Sequence, residues 1–90
     1  MQFRNDHKVI IETLNRDEGQ AFLDFLRMEQ QRHIDEREKA RQMYAVCVQK
    51  NDPTNTALAK FWFSAVLRHT DDIHDTVDLI GEVKQRRLGL

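Results

Sequence analysis

The chain has 90 residues, of which 32% are charged and 40% hydrophobic, and its formal net charge is −1. This length allows one small domain, and the composition is too apolar for a disordered chain and too polar for a membrane protein. A nearly neutral chain has no general electrostatic attraction for nucleic acid or for an anionic membrane. With 3 Gly and 1 Pro, it also lacks the turn residues that most all-β folds need.

Cys47 is the single cysteine, which excludes an intrachain disulfide and a zinc site built from several cysteines. The N-terminal region has only a short apolar run and no small-residue cleavage site, so we expect no signal peptide. No apolar stretch is long enough to cross a bilayer. An unpaired cysteine is typical of reducing compartments, and we therefore predict a cytoplasmic protein without a membrane partner.

Residues 1–14 are predicted to form an extended N-terminal arm. Val9, Ile10 and Ile11 are β-branched residues, which favour extended backbone. A single strand has no partner in this chain, so the segment is either a strand or an arm that lies on another surface.

The first predicted helix runs from about residue 16 to residue 50. Asn15 is a suitable N-cap, and Glu18 stands three residues later, as in a capping box. Gly19 is a weak position in the first turn. Nothing in the sequence breaks the helix from there to Lys50.

Asn51-Asp52-Pro53 is the clearest break in the chain. Asn51 can take the left-handed conformation that ends a helix, Asp52 can cap the next helix, and Pro53 fits its first turn. A second helix is predicted over about 53–87. Because the connection is so short, the two helices should pack antiparallel, which gives an all-α helical hairpin.

A helical wheel at about 100° per residue places the apolar residues of each helix of the hairpin, residues 15–90, in one stripe. In the first helix the stripe contains Phe22, Phe25, Leu26, Ala40, Met43, Tyr44 and Cys47. In the second helix it contains Leu58, Trp62, Ala65, Val66, Ile73, Val77, Ile80 and Val83. We expect these stripes to form the core between the helices.

The third of the hairpin next to the turn is apolar almost all round each helix. A two-helix hairpin covers only one face of each helix, so part of this surface needs another cover. We predict that a second copy of the chain, or another helical protein, covers it, and that two copies form a four-helix bundle. The alternative is that the N-terminal arm folds back and covers this apolar surface. The predicted interface residues are Tyr44, Val46, Val48, Phe61, Trp62, Phe63, Val66 and Leu67.

Polar residues interrupt both apolar stripes near the middle of the hairpin. Glu29, His33 and Glu36 follow the line of the first stripe, and His69 lies near the centre of the second. Three interpretations remain open for these residues. They are boundary residues with their charged ends in water, a hydrogen-bonded network that fixes the register of the helices, or ligands of a divalent metal.

The register of the two helices follows from the tight turn and the apolar residues alone. Facing residues should have numbers that add to about 105. Glu36 is then expected to face His69, and His33 to face Asp72 or Ile73. The polar residues therefore meet at one level although they were not used to set the register.

The sequence predicts a small non-catalytic assembly or adaptor module that acts through protein–protein contacts. No Ser or Cys stands beside a His–acid pair in a turn with oxyanion donors, so we predict no catalytic residue and no cofactor. The first alternative is a metal-binding helical bundle that holds a divalent metal through Glu29, His33, Glu36 and His69.

The second alternative is a nucleic-acid accessory factor that uses the basic C-terminal end. Lys84, Arg86 and Arg87 supply its positive charge. Cations at a helix C-terminus also interact favourably with the helix dipole, which explains them without a ligand. Since aromatic residues do not alternate with these cations, nucleic acid is not an expected partner.

Overall fold

A computed structural model describes residues 11–89 of the chain, and these form a hairpin of two long α-helices with no strand among them. Helix α1 spans Arg16–Lys50 and helix α2 spans Pro53–Val83. A π-helical turn, Lys84–Leu88, continues α2 and is followed by Gly89 in the left-handed conformation. The predicted all-α antiparallel hairpin is confirmed. No helix in this part of the chain has both the length and the hydropathy that a membrane span requires.

Side-chain and backbone caps explain where α1 begins and ends. The side chain of Asn15 accepts a hydrogen bond from the Glu18 N–H at 2.8 Å, and the Asn15 N–H donates to the Glu18 carboxylate at 3.0 Å. This reciprocal pair is the capping box that the sequence predicts. Asn51 ends the helix in the left-handed region, with φ 50°, also as predicted.

Asp52 caps α2, and Pro53 is the first residue of that helix. The backbone N–H of Asn55 donates to one carboxylate oxygen of Asp52 at 2.8 Å, and the Asn55 side-chain amide donates to the other at 2.7 Å. These bonds, that of the backbone N–H first, hold the pKa of the Asp52 carboxyl below its ordinary value. The carboxylate form is therefore the one that the hairpin turn favours.

We expect Asp52 to make the stability of the hairpin sensitive to acid. Because its folded-state pKa is lowered, its contribution is present above the ordinary Asp pKa of about 3.9 and is lost as the pH falls through the lowered value. The free energy of unfolding, measured with urea at pH values above and below the ordinary Asp pKa, should fall less with decreasing pH in Asp52→Asn than in the wild type. Asp71→Asn, a change of the same kind at an exposed site on α2, is the matched control. Equal slopes in all three proteins would contradict the expectation.

Five of the six buried residues of α1 follow a seven-residue repeat, which keeps one seam of a helix facing its partner. The repeat consists of Gly19, Leu26, His33, Ala40 and Cys47. A helical wheel drawn for a straight helix departs from a seven-residue repeat by about 20° in every seven residues. The apolar stripes predicted from that wheel are therefore partly wrong. The stripe residues that are exposed instead of buried are Phe25, Met43, Tyr44, Leu58 and Val77. The buried residues of the two helices that the apolar stripes do not contain are Gly19, Leu23, His33, Ala59, Thr76 and Leu79.

The main apolar core lies at the end of the hairpin away from the turn. Its buried members are Ile11, Leu23, Leu26, Leu79 and Val83. Residues 11–13 are helical, so the described part of the predicted arm is not extended. Burial of Ile11 in this core outweighs the preference of its side chain for extended backbone. Residues 11–13 thus cover the far end of the hairpin, and residues 1–10 of the arm lie outside the described residues.

Gly19 lies where α1 passes close to the π-helical turn. A Cβ atom on this residue would lie 2.9 Å from Arg87 Cβ, which is closer than side chains approach one another. The Arg87 side chain is itself fixed, because its Nε donates to the Ile11 carbonyl. The absence of a side chain at position 19 therefore lets the end of the chain pack against α1.

We expect Gly19→Ala to lower the free energy of unfolding, because the new methyl group displaces Arg87. In an open helix the same change raises stability by about 1 kcal/mol. Gly81→Ala is the matched control, since nothing lies within 4 Å of a Cβ there, and it should stabilise the hairpin. Urea denaturation of both variants measures the difference, and stabilisation by both would contradict the close contact at Gly19.

Candidate functional site

Three polar residues meet between the helices in the middle of the hairpin. We term His33, Glu36 and His69 the histidine cluster. His33 is 7% exposed, and its Nδ1 lies 3.3 Å from His69 Nδ1 on the opposite helix. Glu36 Oε2 lies 3.4 Å from His69 Nε2, which confirms that these two residues face each other. One ligand atom from each of the three residues lies within 4.8 Å of the others, so the cluster can close around one ion.

Two further carboxylates border the histidine cluster. Glu29 Oε2 lies 3.9 Å from His33 Nε2, and Asp72 Oδ2 lies 3.7 Å from His33 Nδ1. The contact with Asp72 confirms the predicted register for His33. The structure thus brings together all four predicted polar residues and adds Asp72 to them.

Arg32 is the residue at this site that the sequence prediction missed. It donates from Nη2 to Glu29 at 2.7 Å and from Nη1 to Glu36 at 3.2 Å, and so links the two carboxylates of α1. Its positions three residues after Glu29 and four before Glu36 are the sequence signal that predicts such pairs on a helix. One oxygen of Glu36 is thereby held by Arg32 while the other lies toward His69.

Negatively charged side chains outnumber positively charged ones in the ion-pair contacts around the two imidazoles. The hydrogen bond from Arg32 holds the pKa of the Glu29 carboxyl below its ordinary value, although burial acts in the opposite direction. The same hydrogen bond raises the pKa of Arg32. Counting Glu36 and Asp72 as well, three carboxylates and one guanidinium make ion-pair contacts at the cluster, a formal charge of −2, and Lys39 and Arg68 line the groove beside Glu36 and His69.

A second candidate site is the apolar surface at the turn end of the hairpin. We term it the turn-proximal surface, and its members are Tyr44, Val46, Val48, Phe61, Trp62, Phe63, Val66 and Leu67. Six of these residues are between 38% and 57% exposed, while Trp62 and Val66 are half-buried. Among the residues that the structure describes, no part of the chain covers these six side chains fully.

A groove of about 660 Å³ borders this turn-proximal surface at Leu67 and is otherwise lined by polar residues. Two further grooves lie among the aromatic residues. The larger of these two has a volume of about 400 Å³ and lies beside Tyr44 and Phe63, whose ring centroids are 5.8 Å apart. The smaller has a volume of about 210 Å³ and is lined in part by Trp62. Glu36 and His69 line the same smaller groove, so the histidine cluster opens to solvent next to the single tryptophan.

The basic residues at the end of the chain make contacts within the hairpin. Arg86 pairs with Glu12 at 2.9 Å, and Arg87 donates to the Ile11 carbonyl. Both contacts tie the π-helical turn to residues 11–13. These arginines therefore have a structural role that accounts for their presence without a phosphate ligand.

Comparison of the chain with protein families, with curated proteins and with solved structures gave no match. The turn-proximal surface and the histidine cluster are therefore the features of the molecule from which its function can be inferred.

Proposed function

We propose that the chain is a small assembly module that pairs with a second copy of itself through the turn-proximal surface. The observation that carries this proposal is the exposure of aromatic side chains, with Phe61 at 57% and Phe63 at 50%. Contiguous apolar surface of this kind marks interaction sites on soluble proteins. Aromatic residues are also the side chains that contribute most to interfaces when they become buried.

The shape of the hairpin supports the same proposal. Its principal extents are 54 × 20 × 15 Å, and its radius of gyration is 17.1 Å, against about 12 Å for a compact domain of this length. Two helices side by side form a single layer, in which each helix has only one packed face. A second hairpin laid against the first gives each helix a further packed face, as in four-helix bundles.

A second copy suits this surface better than a highly charged partner does. The formal net charge of −1 produces little repulsion between identical chains. The surface carries both a groove beside Tyr44 and Phe63 and exposed rings that can fill such a groove. A two-fold interface uses the same patch on both subunits, so it requires both features on one surface.

Sedimentation equilibrium at chain concentrations from about 1 to 100 μM tests the proposal, since a dimer with a dissociation constant in the micromolar range dissociates there. We expect the mass to approach twice the chain mass of 10.7 kDa as the concentration rises. The fluorescence of Trp62, the only tryptophan, should shift to shorter wavelength over the same range because its surroundings become drier. A monomer at every concentration would overturn the proposal.

A further inference from the structure

We propose that the histidine cluster binds one divalent transition-metal ion of the zinc class within a single hairpin. His33 and His69 supply two nitrogen ligands, and Glu36 supplies an oxygen ligand. All three residues belong to one chain, so this site does not rest on the proposed self-association. The inference concerns a binding site and does not include a reaction.

The spacing of the donor atoms fits such an ion. Zinc bonds of about 2.0–2.1 Å in tetrahedral geometry place two ligand nitrogens about 3.3 Å apart. The separation between His33 Nδ1 and His69 Nδ1 is 3.3 Å. Each of the three residues offers one ligand atom within 4.8 Å of the other two, so the most distant pair needs to close by at most about 1.5 Å to reach this spacing. Imidazole and carboxylate together suit zinc, and also cobalt, nickel or iron.

The surrounding contacts are those that metal ligands require. A ligating imidazole usually gives its other N–H to a carboxylate, which fixes the orientation of the ring. Glu29 Oε2, which accepts from Arg32, lies 3.9 Å from His33 Nε2 and would have to move closer to take this role when Nδ1 faces the metal. Arg32 holds Oε1 of Glu36, so Oε2, which lies 3.4 Å from His69 Nε2, is the oxygen available to the ion, and it must turn toward Nδ1 when His69 binds through that nitrogen. Asp72 Oδ2, 3.7 Å from His33 Nδ1, lies within reach of a fourth coordination position.

Charge and access also favour a divalent cation. The formal charge of −2 from Glu29, Glu36, Asp72 and Arg32 is matched by one divalent ion, although Lys39 and Arg68 also line the adjoining groove. The smaller groove lined by Glu36 and His69 gives the ion a path from solvent, which a metal site needs. Trp62 lines this groove, so a paramagnetic ion bound in the cluster lies close enough to quench its fluorescence.

Titration of the metal-free chain with Zn²⁺, in competition with a chromophoric chelator, tests the proposal directly. We expect one equivalent per chain. Co²⁺ should give the visible absorption of a tetrahedral site and should quench Trp62. Mutation of an outer-shell partner of a metal ligand typically costs about 10–100-fold in affinity, so loss of a ligand in His69→Gln or His33→Ala should weaken binding by at least about 100-fold, and Glu36→Gln by at least about 10-fold.

Exposed residues of the same types provide the controls. His74→Gln and Glu38→Gln should bind Zn²⁺ as the wild type does, because neither residue belongs to the cluster. Circular dichroism of every variant establishes whether the hairpin is folded. If the variant of the more buried His33 does not fold, His69→Gln alone tests whether the histidines bind the ion. Substoichiometric binding by the wild type would overturn the proposal. Wild-type affinity in the folded His69→Gln variant would also overturn it.

Discussion

Phe63→Glu is expected to convert the proposed dimer into a monomer at concentrations where the wild type is paired. The side chain is 50% exposed in the single hairpin, so the change should leave the fold intact. In the interface it places an unpaired charge at the groove beside Tyr44. Loss of a central aromatic residue costs about 2 kcal/mol or more, so the dissociation constant should rise by at least about 30-fold.

Phe25→Glu is the matched control for this variant, because Phe25 is 49% exposed and lies far from the turn on α1. Sedimentation equilibrium and circular dichroism of both variants separate loss of the interface from loss of the fold. We expect Phe25→Glu to keep the wild-type mass. If both variants dissociate equally, or if Phe63→Glu remains fully paired, the turn-proximal surface is not the site of association.

The second large effect is expected for Leu26→Ala, which removes a fully buried side chain from the core at the far end of the hairpin. Truncation of a buried leucine costs about 2–5 kcal/mol, through lost burial and the cavity that remains. A small domain has little stability in reserve, so a large fraction of this variant should be unfolded at 37 °C. The measurement is the free energy of unfolding from urea denaturation.

Met28→Ala provides the comparison, since Met28 is 72% exposed and lies two residues further along the same helix. An exposed truncation of this kind should change the stability by less than about 0.5 kcal/mol. Similar losses in the two variants would show that the far end does not contain the main core. Both proteins should be compared at one chain concentration, because association contributes to the apparent stability.

The helix ends and the register were predictable from the sequence because local chemistry determines them. Asn15, Asn51 and Asp52 act on backbone groups within a few residues, and a tight turn allows few alignments of two helices. The facing pair Glu36 and His69 follows from that alignment alone. These features do not depend on how the rest of the surface packs.

The buried faces were less predictable, because the buried seam repeats every seven residues and not at 3.6 residues per turn. The wheel therefore placed Met43 and Leu58 in the core, whereas the structure buries Ala59 and Leu79. Packing between the two helices sets this twist, and the sequence of each helix alone does not show it. The same limitation applies to Ile11, whose burial depends on residues more than ten positions away.

Residues that face each other across the turn are closer in sequence the nearer they lie to the turn, and this bears on how the hairpin folds. Residues beside Asp52 meet partners only a few positions away, whereas Ile11 and Arg87 are brought together across almost the whole chain. The entropy lost on closing a loop is smallest for the shortest loop, so the helices can join progressively from the turn outward. The main apolar core, at the end of the hairpin away from the turn, then forms last. We expect fast folding, typical of proteins with many local contacts, and an unfolding rate governed by the separation of the two chain ends.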